Sequence, residues 1–157
     1  MVELLRVDDR LLHGQVAFAW SKSLPINLII IANDAVSQDK TAKATFALAK
    51  PAGTSLVIST VAKTIDFLHS EKAAGYSTLV LVNNVADAKA IALGCKDIKA
   101  VNLGGLREHG DSKRYTNAVC LSSEDVDIVR ELMGAGVAVF AQQVPADTKT
   151  DMASLLK

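Results

Sequence analysis

Aromatic residues are scarce in this sequence of 157 residues, at 4%, and the 17 basic side chains are balanced by 17 acidic ones. Proteins that bind nucleic acid usually carry a basic surface and stack bases on aromatic rings, so this composition disfavours that class. The longest apolar runs, "LIIIA" and "LVLV", are far shorter than the roughly 18 residues that a membrane-spanning helix needs. The N-terminus also lacks a basic stretch followed by an apolar one. We therefore predict a cytoplasmic chain without a nucleic-acid partner.

Cysteine is nearly absent, since Cys95 and Cys120 are the only two. They form no Cys-x-x-Cys pair and have no histidine nearby at ligand spacing, so we expect two buried, inert thiols and no metal site. The glycine-rich motifs for nucleotides and the H-E-x-x-H motif for zinc are missing as well. No cofactor is predicted.

What the sequence has is a regular alternation of short apolar runs with longer segments of helical period, which is typical of stacked βαβ units. The length and a hydrophobic fraction of 50% indicate one compact domain over residues 1–157. Because most of the candidate strands are almost continuously hydrophobic, we predict a three-layer α/β fold. Its open, mostly parallel sheet has seven strands and helices on both faces. The candidate strands are "VELLRV", "NLIIIAN", "SLVIST", "STLVLVN", "KAVNLG", "AVCLS" and "VAVFAQQV".

Three segments after these strands predict helices: "DKTAKATFALAK", "TVAKTIDFLHSEKAAG" and "SSEDVDIVRELMGAG". The last is the clearest, because Ser122 or Ser123 can cap it and a glycine ends it. Residues 105–117 have no clear period, and we interpret a loop of this length as functional or mobile. The tail after Pro145 is compatible with either a short helix or a frayed end.

A histidine lies at the first strand-to-helix junction, in "VDDRLLHGQV". Ligands of open parallel sheets bind at the carboxyl ends of strands. The next helix is expected to begin around Gly14, which places His13 beside free backbone N–H groups that favour an anion. We infer a candidate anion site at this junction.

The residues around His13 suit a phosphoryl group. A neutral imidazole is a competent nucleophile near pH 7, and Arg10 can bind phosphate oxygens with two N–H groups. Gly14 permits a close approach and a sharp turn, and Gln15 can donate an amide hydrogen bond. Two hypotheses remain at this point: phosphoryl transfer through His13, or a non-catalytic regulatory module that binds a small anion.

The longer stretch "RVDDRLLHGQV" closely resembles the N-terminal signature of the IIB components of the mannose/fructose/sorbose class of the bacterial sugar phosphotransferase system. Similar segments follow along almost the whole chain: "NDAVSQD", "KPAG", "VNLGG" and "GVAVFAQQVPAD". The family fold has a seven-stranded, mainly parallel sheet, which agrees with the strands predicted above.

The resemblance implies a phosphocarrier. Such proteins take a phosphoryl group from phosphohistidine on a IIA partner and pass it to a sugar that enters through the membrane components IIC and IID. The family's phosphorylated histidine corresponds to His13, with Nδ1 as the phosphate-bearing atom, and its phosphate-binding arginine to Arg10. Gly14 and Gln15 match the rest of the loop. The transported sugar and the oligomeric state are not implied.

Several neighbouring residues keep two interpretations each. Asp8 and Asp9 either hold Arg10 or one imidazole tautomer, or only form the turn. His109, with Arg107, Lys113 and Arg114, either overhangs His13 or lies in a solvated loop. Asn33 and Asp34 either line the same crevice or form a turn and a helix cap. His69 either adds a favourable charge at a helix C-terminus or is a surface residue. Trp20 lies either in the core or at the edge of a docking surface.

Overall fold

The computed structural model describes residues 1–156, and within them the chain forms nine strands and six α-helices. The strands are β1 (Val2–Asp8), β2 (Leu28–Ala32), β3 (Ser55–Ser59), β4 (Thr78–Val82), β5 (Ala100–Gly105), β6 (Lys113–Arg114), β7 (Cys120–Leu121), β8 (Ala138–Ala141) and β9 (Thr150–Asp151). The helices are α1 (Gly14–Ser23), α2 (Lys40–Ala49), α3 (Val61–His69), α4 (Val85–Gly94), α5 (Ser123–Gly134) and α6 (Met152–Leu155).

Seven strands form one sheet in the order β3-β2-β4-β1-β5-β8-β9. All neighbours are parallel except β8 and β9. Two separate hydrophobic cores lie on its two faces, one beneath α1 and α2 and the other beneath α3, α4, α5 and α6. The predicted three-layer fold with a mostly parallel seven-stranded sheet is therefore confirmed.

One predicted strand is wrong, although the number of strands in the sheet is right. The sixth candidate, "AVCLS", contributes only Cys120–Leu121, which pairs antiparallel with Lys113–Arg114 in a separate two-stranded ribbon. The place beside β5 is taken by β8, and the sheet gains its seventh strand from β9 in the tail. Two residues of antiparallel pairing carry no periodic signal that a sequence can reveal.

The predicted helices are found with small changes. Helices α1, α2 and α5 match their segments, and α5 begins with a capping box between Ser122 and Asp125. The segment "TVAKTIDFLHSEKAAG" splits, because α3 ends at His69 and a 3-10 turn follows. Helix α4 is absent from the prediction, since its alanine-rich sequence has apolar side chains on nearly every face. The tail forms the short helix α6.

The two cysteines are both buried and free, as expected. Within residues 1–156, no helix is both long and apolar enough to cross a bilayer.

The central strand β1 carries a buried cation towards its carboxyl end. Arg6 is 1% exposed and its guanidinium lies over the ring of Trp20, 5.8 Å from the centroid. The register between β1 and β5 shifts after Val7, which leaves Gly104 as an extra residue in β5. A Cβ built on Gly104 would lie 2.0 Å from Cζ of Arg6, so the guanidinium fits there only because this residue is glycine.

Replacement of Gly104 by alanine tests this packing. The added methyl group has to displace a buried guanidinium, so we expect Gly104→Ala to lower the free energy of unfolding by at least about 2 kcal/mol. Urea denaturation measures the change. Gly134→Ala is the matched control, because a Cβ at Gly134 meets nothing within 4 Å and should have little effect. Equal stability of the two variants would contradict the packing.

Candidate functional site

The loop after β1 is a tight turn organised by Asp8. The amide of Leu11 donates to the carbonyl of Asp8 at 2.8 Å, and the amide of Arg10 donates to Oδ1 of the same residue at 3.0 Å. Leu11 has a φ of 58°, the only positive value among the described non-glycine residues. Its side chain is buried in the core beneath α1, which helps to offset the cost of the left-handed conformation.

The carboxylate of Asp8 lies between two arginines. Its side chain is 0% exposed; Oδ2 accepts from Nη2 of Arg6 at 3.2 Å and from Nη2 of Arg10 at 3.1 Å, and Oδ1 accepts from Nε of Arg10 at 3.1 Å. Burial lowers the pKa of Arg6, and the adjacent carboxylate opposes that shift. The hydrogen bonds to Asp8 raise the pKa of Arg10. Both guanidinium groups are therefore fixed by one buried acid.

Arg6 is held from its other side by β5 and the end of β8. Its Nη1 donates to Oδ1 of Asn102 at 2.8 Å and to the carbonyl of Gln142 at 3.2 Å. Asn102 in turn donates to the same carbonyl at 3.0 Å. This network makes the base of the loop rigid, since a buried polar group without its partners is costly.

Arg10 is anchored along one edge only. Asp8 uses Nε and one Nη2 hydrogen, which leaves the Nη1–Nη2 edge of the planar group without a protein acceptor in residues 1–156. The Arg10 side chain is 32% exposed and lines a cleft of about 540 Å³. An arginine fixed by one edge and open at the other is well prepared to bind an anion.

The opposite wall of the cleft is formed by the segment that follows β5. Arg107 and Arg114 line it, together with Glu108 and Gln143. Arg107 is tied to the first loop, because its amide and its Nε both donate to Oδ2 of Asp9, at 2.8 and 3.1 Å. Three guanidinium groups thus face one cleft that contains two acids, which favours an anionic occupant.

His13 is the N-cap residue of α1, with extended dihedrals and no side-chain hydrogen bond to the helix. Its carbonyl accepts from Ala17 at 2.9 Å, so the preceding amides of the first turn have no intrahelical acceptor. The half-buried ring borders a cavity of about 10 Å³ beside Arg6 and Trp20. Nδ1 is buried and has no hydrogen-bond partner within residues 1–156.

The ring of His13 is therefore not fixed by any polar contact in the part of the chain that is described. The second side-chain torsion of histidine is broad and roughly two-fold, so a half-turn of the ring exchanges its two edges. This turn exchanges the positions of Nδ1 and Cδ2 and breaks no hydrogen bond of Nδ1 to the described residues. In the conformation seen, His13 and Arg10 line different cavities and no hydrogen bond joins them.

Gly14 and Gln15 lie in the first turn of α1. Gln15 is exposed. The sharp turn that a glycine at position 14 permits is not used there, because Gly14 does not have a positive φ and the left-handed residue of the loop is Leu11. A Cβ on Gly14 would come within 3.6 Å of the carbonyl of Ala49, which is an ordinary contact. Gly14 has no side chain that could obstruct the approach of another molecule to His13.

The remaining candidates are resolved as follows. Asp8 holds Arg10 and forms the turn, whereas Asp9 binds Arg107, and neither contacts the ring of His13. His109 contacts α5 instead of His13. Asn33 accepts the amide of Val36 in the next turn, and Asp34 accepts the amide of Val61 at the start of α3. His69 contacts a carbonyl at the end of α4. Trp20 is buried and donates to the carbonyl of Gln143 at 3.1 Å.

Sequence reasoning missed Arg6, Asn102 and Gln143. The one available signal was a charged residue in the middle of an apolar strand, because a cation at such a position is rarely buried without an acid partner. Asn102 is a comparable signal, because it is a polar residue within the apolar strand β5.

Comparison with known proteins gives a consistent result. A family model described as PTS system sorbose subfamily IIB component matches residues 2–157. A probable phosphotransferase enzyme IIB component of Streptococcus pyogenes serotype M6 is 33% identical and covers 99% of both chains. The mannose-specific EIIAB component of Escherichia coli K12 is 31% identical over 99% of this chain, which spans 48% of that protein.

Solved structures agree. The IIBSor domain of the sorbose permease from Klebsiella pneumoniae superposes with a TM-score of 0.93 at 29% identity, over 99% of this chain and 96% of that one. The manxB structure from Thermoanaerobacter tengcongensis has a TM-score of 0.91 at 26% identity, with 99% and 95% coverage.

Two substitutions separate the structural and the exposed parts of the arginine network. Asp8→Asn leaves the buried Arg6 without its counter-charge and should lower the free energy of unfolding by about 3–5 kcal/mol. Arg10→Ala leaves Asp8 paired with Arg6 and should cost only about 1–2 kcal/mol. Urea denaturation measures the free energy of unfolding of both variants. If Arg10→Ala loses as much stability as Asp8→Asn, Arg10 is a structural residue.

Proposed function

Because this chain belongs to the sorbose subfamily of the phosphotransferase system IIB components, we propose that His13 is the residue that carries the phosphoryl group. IIB components are phosphotransferases that accept phosphate from IIA and pass it to the sugar, and the chain is a phosphocarrier of this type. The alternative of a non-catalytic anion-binding module is not favoured. The observation that supports His13 is its place at the open, uncapped start of α1.

Two displacements make up the proposed cycle. In the first, the N–P bond of the donor's phosphohistidine breaks as a bond forms between phosphorus and Nδ1 of His13, after the ring has turned outward. In the second, that N–P bond breaks as a sugar oxygen binds phosphorus, and the proton of the sugar hydroxyl group replaces the phosphoryl group on the imidazole of His13. A neutral imidazole needs no general base for the first step.

The loop supplies charge and position, which are the main requirements of phosphoryl transfer. We assign Arg10 as the phosphate-binding residue because its Nη1–Nη2 edge is open while Asp8 fixes the rest of the group. The free amides at the start of α1, which include those of Gly14 and Gln15, are the second source of hydrogen bonds. The dipole of α1 adds a favourable field.

The partners follow from the family. IIB components work with IIA and with IIC/IID, so we propose a IIA component or domain as donor and a sugar bound by IIC and IID as final acceptor. The mannose-specific relative is an EIIAB component of which this chain spans 48%, which supports a IIA partner. We further propose that residues 1–157 act as one IIB domain in the cytoplasm, transiently associated with the membrane components.

Labelling from radioactive phosphoenolpyruvate tests His13 directly. With the general phosphotransferase components and a matched IIA, the protein should gain an acid-labile, base-stable label that His13→Ala abolishes. His69→Ala is the control: His69 lies at the end of α3, so this variant should still be labelled on His13. A labelled His13→Ala variant would exclude the proposal, and so would an unlabelled wild-type protein in the presence of a competent donor.

Arg10→Ala should keep the label but acquire it more slowly. Loss of one preorganised donor to a developing charge typically costs about 10²-fold in rate, so we expect single-turnover transfer from phosphorylated IIA to slow by about that factor. Rapid-quench measurement gives the rate, and Lys113→Ala is the matched control because Lys113 is a cation of the β6 ribbon that does not line the cleft. Unchanged kinetics in Arg10→Ala would remove Arg10 from the site.

Gly14→Ala tests the approach to His13. The methyl group fits the fold, since its nearest neighbour would be 3.6 Å away, but it occupies space that a donor protein needs. We expect normal stability and a loss of about tenfold or more in the transfer rate. A normal rate would mean that the donor does not pass over Gly14.

A further inference from the structure

His109 joins the segment after β5 to the start of α5. Its Nδ1 lies 2.7 Å from the carbonyl oxygen of Arg107, and its Nε2 lies 2.6 Å from Oδ2 of Asp125. Asp125 is part of the capping box of α5, and the same Oδ2 accepts the amide of Ser122 at 3.0 Å. The ring therefore connects the backbone at Arg107 to a fixed helix terminus.

Both atoms that face the ring are acceptors. A backbone carbonyl oxygen and a carboxylate oxygen have no proton to donate, and a neutral imidazole carries only one N–H group. Only the imidazolium donates to both at once. Loss of a proton turns one of the two contacts into a repulsion between lone pairs.

Asp111 binds the segment after β5 to α5 through a second set of hydrogen bonds. Its Oδ1 accepts the amide of Ser123 at 3.1 Å, and its Oδ2 accepts the hydroxyl group of Ser123. Those contacts lower the pKa of Asp111, so its carboxylate remains ionised over the range in which a histidine titrates. The hydrogen bonds between Asp111 and Ser123 therefore remain in place over that range. The contacts of His109 are the ones that change near neutral pH.

Arg107 transmits the effect to the cleft. Its carbonyl accepts from His109, while its amide and Nε donate to Asp9, the residue before Arg10. Arg107 is 76% exposed, and its side chain is held by Asp9. When the carbonyl of Arg107 loses its contact with His109, Asp9 alone among residues 1–156 holds Arg107, and the Arg107 side chain is less firmly fixed opposite Arg10.

We propose that His109 is a positioning residue whose imidazolium fastens the backbone at Arg107 to the start of α5 and so holds the Arg107 guanidinium in the wall of the phosphate cleft. The consequence for transfer rests on the function proposed above for that cleft. The fastening itself is independent of that function.

The charges around His109 agree with a protonated ring. The groups that face it are Asp125 of α5, Asp9 of the first loop, and Asp111 and Arg107 of its own segment. The hydrogen bonds to Arg107 and Asp125 raise the pKa of His109 above its usual value, with Asp125 and Asp9 adding attraction. Because the folded pKa is the higher one, the fastening is complete below about pH 6.5 and is lost as the pH rises through the folded value.

The direct test is the ¹⁵N–¹H signal of Arg107 Nε in the unphosphorylated protein. We expect protection from exchange that is highest at low pH and declines as His109 loses its proton, and that stays at the lower level at every pH in His109→Gln, where Asp9 alone, within the described chain, holds Nε. Asp125→Asn is the second variant, since asparagine keeps an acceptor for Ser122 but removes the charge, and it should lower the titration midpoint of His109. His69→Gln is the matched control, because His69 has a single carbonyl acceptor on α4.

Transfer kinetics supply the second test. At each pH, the single-turnover rate from phosphorylated IIA is divided by the rate for His109→Gln, so that pH effects common to the two proteins cancel. We expect a ratio of about two to five at low pH that falls to one above the folded pKa of His109. A ratio that does not change with pH, or an Arg107 signal that is the same in both proteins at low pH, would overturn the proposal. Failure to label His13 affects only the proposed function, because the Arg107 signal needs no donor.

Discussion

The site depends on one buried carboxylate. Asp8 ends the central strand, is closed off from solvent, and is bound by Arg6 on one side and Arg10 on the other. A lone charge at this depth is strongly unfavourable, and so is a lone guanidinium, so each group requires the others. Arg6 is further confined by Asn102 and by the absence of a side chain at Gly104. The burial of Asp8 thus depends on the two arginines that neutralise it, and the burial of Arg6 depends on the register of β5 and on the glycine at position 104.

This constraint explains how a short loop presents a cation with a defined orientation. Asp8 forms the turn through its carbonyl and carboxylate oxygens and grips Arg10 through Nε and Nη2, which leaves the Nη1–Nη2 edge for a ligand. Across the cleft, Oδ2 of Asp9 accepts both the amide and Nε of Arg107. His13 contrasts with both arginines, because no hydrogen bond within the described chain fixes its ring. The candidate site thus combines an arginine of fixed orientation with a histidine ring that has no polar restraint within residues 1–156.

The fold and the site differ in how far the sequence predicts them. Runs such as Leu28–Ala32 and the serine cap of α5 are local signals, so those elements and the helix start at Gly14 are predicted correctly. Strand β9 is not, because its two residues pair only where β8 offers an open edge. The same holds within the site. His13 and Arg10 are recognisable from one continuous stretch, whereas the link between Arg6 and Asn102 depends on a register that brings distant residues together.

We propose that Arg10 binds the phosphoryl group on His13 and that Asp8 anchors Arg10. The most direct measurement is the ¹⁵N–¹H spectrum of the arginine Nε groups before and after phosphorylation of the protein, with assignments from Arg6 and Arg10 variants. We expect a clear shift of the Arg10 signal and a nearly unchanged Arg6 signal, because Asp8 keeps its pairing with Arg6. An Arg10 signal that stays in place while His13 is fully phosphorylated would contradict this role of Arg10.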